Sequence, residues 1–165
     1  MIELPKRVHP RLKNFDYSEN GMYFVTVCTA EKKNILCDII VGRGLAPAET
    51  RLSSIGRIAE EQILTLPNRY SCIEIIKYVI MPDHIHILLF IDGYTAGASP
   101  RPTLSDVICS FKSLTTRKVK DSFQVNKLWQ TSFYDHIIRS EEDYKTHWRY
   151  IEDNPTMWLL NKYNI

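Results

Sequence analysis

The chain has no CxxC pair, no apolar run long enough to span a bilayer, no repeated or low-complexity segment and almost no net charge. Each absence excludes something. Cys28, Cys37, Cys72 and Cys109 are widely scattered, which argues against a zinc knuckle or a thioredoxin-like site. They suit small buried apolar residues in a reducing compartment, and a cytoplasmic protein is expected. With no membrane-length run, and no hydrophobic stretch of signal-peptide type in Met1-Ile2-Glu3-Leu4-Pro5-Lys6-Arg7, no membrane partner is expected. A formal charge of +2, from 21 basic and 19 acidic residues, neither demands nor excludes nucleic acid. The distribution says more. Lys6, Arg7, Arg11 and Lys13 crowd the N-terminus, and Lys112, Arg117, Lys118, Lys120 and Lys127 crowd a later segment.

What is present fits one globular domain. At 165 residues, with 44% hydrophobic and 24% charged content, the chain can bury a substantial core. A single domain over 1–165 is expected, with a basic arm at 1–15 and a C-terminal tail at 156–165. Tyr23 to Thr29 is β-branched and aromatic and reads as a strand. Asn34–Val41 is extended or partly strand, Gly42–Ala48 a loop, and Thr50-Arg51-Leu52 a short returning strand. Ser53 or Ser54 caps a helix whose apolar stripe is Ile55, Ile58, Ala59, Gln62, Ile63 and Leu66, ended by Pro67. Two strands follow, Cys72–Met81 and His84–Ile91, broken at Pro82-Asp83. After a loop over Asp92–Pro102, Thr103-x-x-Asp106 starts a second helix, and Phe133–Ile138 reads as a short strand. The last helix runs from about Ser140 to Asp153 and stops at Pro155. Short joins between neighbouring strands predict a mainly antiparallel sheet with helices on one face, an α+β sandwich of ferredoxin-like or RRM-like type.

Chemistry concentrates at His84-Ile85-His86, within the run Ile80 to Phe90. On a strand, residues two apart share a face, with roughly 7 Å between them at about 3.3 Å rise per residue. Two imidazoles side by side can grip one cation, and both would repel if protonated. They could equally be hydrogen-bonded strand histidines that satisfy their own polarity. In the last helix Tyr144, Trp148 and Ile151 should face the core. His147, Tyr150 and Asn154 form a neighbouring stripe that could look into a site at the sheet edge.

Taken in order, Tyr78–Asp83 followed by His84-Ile85-His86, Trp129-Gln130, Asp135–Arg139 and Arg149–Pro155 resemble the REP-associated tyrosine transposases, among the HUH single-strand nucleases that use one tyrosine. Phe111-Lys112-Ser113 and Tyr23-Phe24-Val25-Thr26 also fit, and the resemblance spans about residue 10 to about residue 160. It implies an HUH palm and a divalent cation, Mg²⁺ or Mn²⁺, held by His84, His86 and Asn154. It implies Tyr150 as nucleophile, and cleavage and joining of single-stranded DNA at hairpin-forming repeats. Relatives in the wider class include dimers that exchange tyrosines, so monomer and homodimer both stand.

The residue types suit that reaction. A cation on a nonbridging oxygen withdraws charge from a phosphodiester. A free phenol, pKa about 10, needs help to become a nucleophile. Attack would leave a 5′-phosphotyrosine that a 3′-hydroxyl can reverse without ATP. Imidazoles alone would also admit nickel, cobalt or zinc. Lys112, Arg117, Lys118 and Arg139 are the candidate phosphate contacts. Trp129, Phe133 and Tyr134 are the candidate stacking platforms. The Lys6–Lys13 arm is a candidate for a hairpin groove, and His147 or His136 for proton transfer. The competing expectations are a domesticated, non-cleaving hairpin-binding protein and a metal-dependent phosphoesterase with no covalent intermediate.

Overall fold

Alternation along Tyr23–Val27 sets the architecture. Tyr23, Val25 and Val27 are fully buried on one side of their strand, and Phe24 and Thr26 face the other way. The computed structural model describes residues 20–41, 48–93, 102–125 and 127–163. The N-terminal arm, most of the 42–48 loop and most of the 92–102 loop lie outside the described residues. The elements in chain order are β1 (Gly21–Cys28), β2 (Cys37–Ile40), β3 (Glu49–Leu52), α1 (Ser54–Leu64) and α2 (Leu66–Arg69). Then come β4 (Ile73–Ile80), β5 (His84–Ile91), α3 (Leu104–Ser122), β6 (Tyr134–Ile138) and α4 (Glu141–Tyr163).

The main sheet has the order β4-β5-β1-β6, every pair antiparallel, and β2–β3 form a separate two-stranded ribbon. Counting only the main-sheet strands, this is the ferredoxin-like order expected. α1, α2 and α3 cover one face, burying Ala59, Ile63, Leu66, Val107, Ile108 and Phe111 against Val25, Ile85, Ile87 and Leu89. Helices were expected on one face only, and here the structure differs. α4 lies across the opposite face, where Ile151, Tyr144 and Trp148 pack on Phe24, Leu88, Met22 and Val79. The reason is in β5, whose second face carries Leu88 between His86 and Phe90 and needs cover as much as the first. No helix among the described residues is long and apolar enough to cross a membrane.

Both helix predictions that rested on proline need correction. Pro67 lies in the first turn of α2, where its missing N–H costs nothing, so it opens a turn as well as closing α1. Pro155 lies inside α4, which continues to Tyr163. The segment from 156 expected as a tail is therefore helical as far as Tyr163. Proline removes the hydrogen bond to the Ile151 carbonyl. Packing on both sides holds the helix through that loss: Ile151, Asn154 and Pro155 are buried, and the Trp158 ring lies 5.9 Å from His84. Of the cysteines, Cys37 and Cys72 are buried as expected, but Cys109 is exposed. Burial pushes the Cys37 thiol up to about 12, which keeps it inert.

The start of α1 is seated tightly. Ser53 caps it by accepting from the Gly56 N–H at 3.0 Å, and the Ser53 N–H donates to the Leu36 carbonyl at 2.9 Å. A Cβ on Gly56 would stand 2.0 Å from that same carbonyl oxygen. Gly56→Ala is therefore expected to destabilise the fold by about 1–3 kcal/mol or more, since backbone rather than a side chain must give way. Urea unfolding measures it.

Candidate active site

The register of β1 builds the floor of the site. Thr26 stands between His86 on β5 and Tyr134 on β6, and Phe24 stands between Leu88 and His136. His84 pairs with Cys28 at the end of the same row. The period of two thus brings both imidazoles to the α4 face, with ring centroids 4.5 Å apart and planes at 69°. From α4, Tyr150 comes down edge-on, 5.1 Å from the His86 ring and 5.9 Å from Phe24. These groups line an open cleft of about 490 Å³ with Lys32, Thr146 and His147.

Each histidine is held through one nitrogen. His84 Nδ1 lies 2.5 Å from Asp83 Oδ1, and His86 Nδ1 lies 2.8 Å from Thr26 Oγ1. That orientation leaves the Nε2 atoms for another partner. His86 Nε2 is buried with no hydrogen-bond partner, in a residue only 4% exposed. An orphaned polar atom in such a place costs free energy unless something binds it. Burial also pushes the His86 ring down to about 3, helped by the positive fields of its neighbours, so at neutral pH it offers a lone pair. Burial lowers His84 as well, outweighing the opposite pull of Asp83. Two neutral rings fixed by their far nitrogens are a donor set that fits a divalent cation.

Asn154, one turn beyond Tyr150 on α4, is buried and lines a second cleft of about 420 Å³ together with His84, Tyr150, Asp153 and Trp158. His84 and Tyr150 border both clefts, so the pair and the amide flank one wall. Tyr150 is 51% exposed, which leaves its phenol accessible.

Three contributors were not legible from spacing. In the sequence Asp83 marks only a strand boundary after Pro82. Its carbonyl is held by the Thr29 N–H at 2.9 Å and the Thr29 hydroxyl at 3.0 Å, which aims the carboxylate at His84. An acid directly before the histidine pair was the available signal. Thr26 carried none, since its partner is 60 residues away. Lys32 reaches the cleft from a 3₁₀ turn in which Glu31 and Lys32 both have positive φ, 57° and 56°. Its ammonium lies 3.9 Å from Asp83.

The predicted DNA contacts are not all on one surface. Lys112, Arg117 and Trp129 border a basic groove of about 520 Å³ with Lys120, Lys127 and Thr131. Lys118 is instead ion-paired with Glu61 at 2.9 Å, and Arg139 is exposed at the far end of β6. Two roles change. Trp129 is 4% exposed and packs 5.6 Å from Phe111 in the main core, so its ring is not a base platform. The Lys112 ammonium donates to the Gln130 and Thr131 carbonyls at 2.6 and 2.9 Å, pinning that loop. Phe133 packs against the core, whereas Tyr134 is 58% exposed at the cleft.

A ferredoxin-like sheet that carries paired histidines beneath a helix-borne tyrosine defines a class, and comparison with known proteins gives it a name. The model of the family described as "Transposase IS200 like" matches residues 59–154, more than half of the chain, and the chain belongs to that family of DNA-processing enzymes. Two Haemophilus influenzae proteins are similar along most of their length. One, uncharacterized, is 26% identical over 163 residues, covering 90% of this chain and 87% of its own. The other, provisionally named a REP-associated tyrosine transposase, is 27% identical over 151 residues, covering 85% and 73%. Among solved structures, a REP-associated tyrosine transposase bound to a REP hairpin shares the fold. Its TM-score is 0.58 at 20% identity, covering 89% of this chain and 73% of that one.

Proposed function

We propose that this protein is a metal-dependent single-stranded DNA endonuclease and strand transferase acting at hairpin-forming repeats through a 5′-phosphotyrosine. The observation that carries the reading is the buried, partnerless Nε2 of His86 in the same cleft as the exposed phenol of Tyr150. His84, His86 and Asn154 would hold the cation, Mg²⁺ or Mn²⁺. When bound, it would supply Lewis-acid polarisation of a phosphate oxygen.

The chain's own residues do the rest. Thr26 and Asp83 fix the two rings so that the same nitrogens always face the cleft. Lys32 brings a positive charge to its mouth. The Tyr150 oxygen attacks phosphorus, the Tyr150 O–P bond forms, and the P–O3′ bond breaks. The phenol proton leaves, and the departing oxygen takes one up to become a 3′-hydroxyl. His147, which lines the same cleft as Tyr150, is a group able to carry a proton. One chain supplies both the histidines and the tyrosine, so this reading needs no second copy to complete the centre. The domain of 1–165 would work as one unit in the cytoplasm.

The repeat hairpin is proposed on the likeness to the hairpin-bound transposase structure together with the basic groove. Thr131 on the groove and Tyr134 on the cleft are three residues apart in the chain, which would give an unpaired strand a short path between them. The test is incubation of labelled hairpin-bearing single strands with the protein and manganese, with and without chelator. A metal-dependent adduct that survives denaturation is expected. Binding with no cut under any metal would mean a non-cleaving hairpin binder. Replacing Arg117, Lys120 and Lys127 together with Gln is expected to weaken binding across sequences. It should also flatten the dependence of log affinity on log salt by about 2, at about 0.7 per single-strand phosphate contact. A salt titration of affinity reads it.

A further inference from the structure

Next to the cleft, on residues that the proposed cation site does not use, a second set of donors converges. His136 comes from β6, and Asp143 and His147 from the first turns of α4. One ligand atom from each lies within 4.8 Å of the others. His136 Nε2 is 2.9 Å from Asp143 Oδ2 and 3.1 Å from Oδ1. His147 Nδ1 is 3.0 Å from Asp143 Oδ1 and 2.9 Å from the Asp143 backbone carbonyl. The two imidazoles stack at 4.6 Å with planes only 19° apart. We infer that His136, Asp143 and His147 form a second metal site, suited to a borderline transition ion such as zinc.

Two nitrogen donors and one carboxylate are a familiar zinc set with a fourth position left open. The spacing is built for it. Asp143 and His147 are four apart and share a helix face, and His136 projects from the adjacent strand. The carboxylate is already positioned from outside, since its Oδ2 accepts the Arg139 N–H at 3.1 Å. The three side chains are part-buried rather than splayed into solvent, with exposures of 41%, 23% and 20% for His136, Asp143 and His147. Both rings converge on the one carboxylate, and His147 Nδ1 also faces the Asp143 backbone carbonyl. A cation would use all three lone pairs at once. It would also clamp β6 to the N-terminal turns of the helix that carries Tyr150, and fix His147 in the cleft wall.

The experiment uses the full chain, stripped of metal, and the zinc ion alone, in competition with a chromophoric chelator. A His84→Ala/His86→Ala variant removes the proposed catalytic pair. It is expected to keep about one zinc per chain and to give a visible cobalt spectrum on substitution. Adding His136→Gln or Asp143→Asn to that background is expected to weaken zinc by about tenfold or more. Asp143→Asn also loosens the start of α4, so His136→Gln with a native circular dichroism spectrum decides the outcome. The inference is overturned if the His84→Ala/His86→Ala chain takes up no zinc at micromolar concentration, or if folded His136→Gln binds it undiminished. Neither result depends on whether the protein cuts DNA, and neither test substitutes His147, the one residue the two readings share.

Discussion

Tyr150→Phe is expected to abolish the denaturation-resistant protein–DNA adduct while leaving the fold and the affinity for hairpin DNA nearly unchanged. The substitution removes one oxygen. Tyr150 is 51% exposed, and its ring lies in edge-type contact with Phe24 and His86. A surface change of this kind moves stability by about 0.5 kcal/mol or less. The chemical cost is of another order, because the Tyr150 oxygen is the atom that forms the aryl phosphate bond in the proposed reaction. Removing a nucleophile in enzymes with covalent intermediates costs on the order of 10⁴-fold or more. The pairing of those two outcomes is what identifies the role. An adduct formed at undiminished rate by the Phe variant would put the nucleophile elsewhere. Loss of both adduct and DNA affinity would mean a binding role. Denaturing gels with labelled DNA, beside an affinity titration in chelator, separate these cases.

His86→Ala should remove the metal dependence of cutting and lower the adduct rate by about a hundredfold or more, the scale of several kcal/mol of lost charge stabilisation. It also carries a distinct signature in acid. His86 is held from an ordinary 6.5 down to about 3, chiefly by burial. The unfolded chain therefore binds a proton near pH 6.5 that the folded chain refuses until about pH 3. Above that window the residue makes no difference through protonation. As pH falls through it, the unfolded state gains and the native state loses stability. His86→Ala removes this penalty, so its urea midpoint should fall less steeply between neutral and mildly acid pH than that of the parent chain. A variant that shows the same acid slope as the parent would place the burial penalty on another group. The same depression means protons compete weakly for the ring. Metal-supported cutting should accordingly persist at pH values where an exposed histidine pair would already be charged.

Much of the frame was legible in the chain. Alternation along Tyr23–Cys28 and His84–Ile91 specifies strands, and period two alone puts His84 and His86 on one face. Helical spacing alone turns Tyr150 away from Ile151. Thr103 and Asp106 announce the start of α3, and their reciprocal hydrogen bonds form there. Local rules failed where long-range packing outweighed them. Proline predicts a stop at 155, yet the helix runs on because Trp158 and Leu159 have a ribbon and a histidine to rest against. Trp129 has the look of a base platform in a basic stretch, but its bridge to Thr29 at the end of β1 carries it into the core.

By itself, then, the sequence determined to which side of their own strand or helix the candidate residues belong, because those periods are properties of the local backbone. Only the tertiary structure decided that α4 would cross the free face of the sheet and meet those histidines. It also decided that Thr26 and Asp83 would hold them, and that His136 would find Asp143 and His147. Such meetings depend on the order of strands in the sheet and on a second apolar face in need of cover, and no local period contains either.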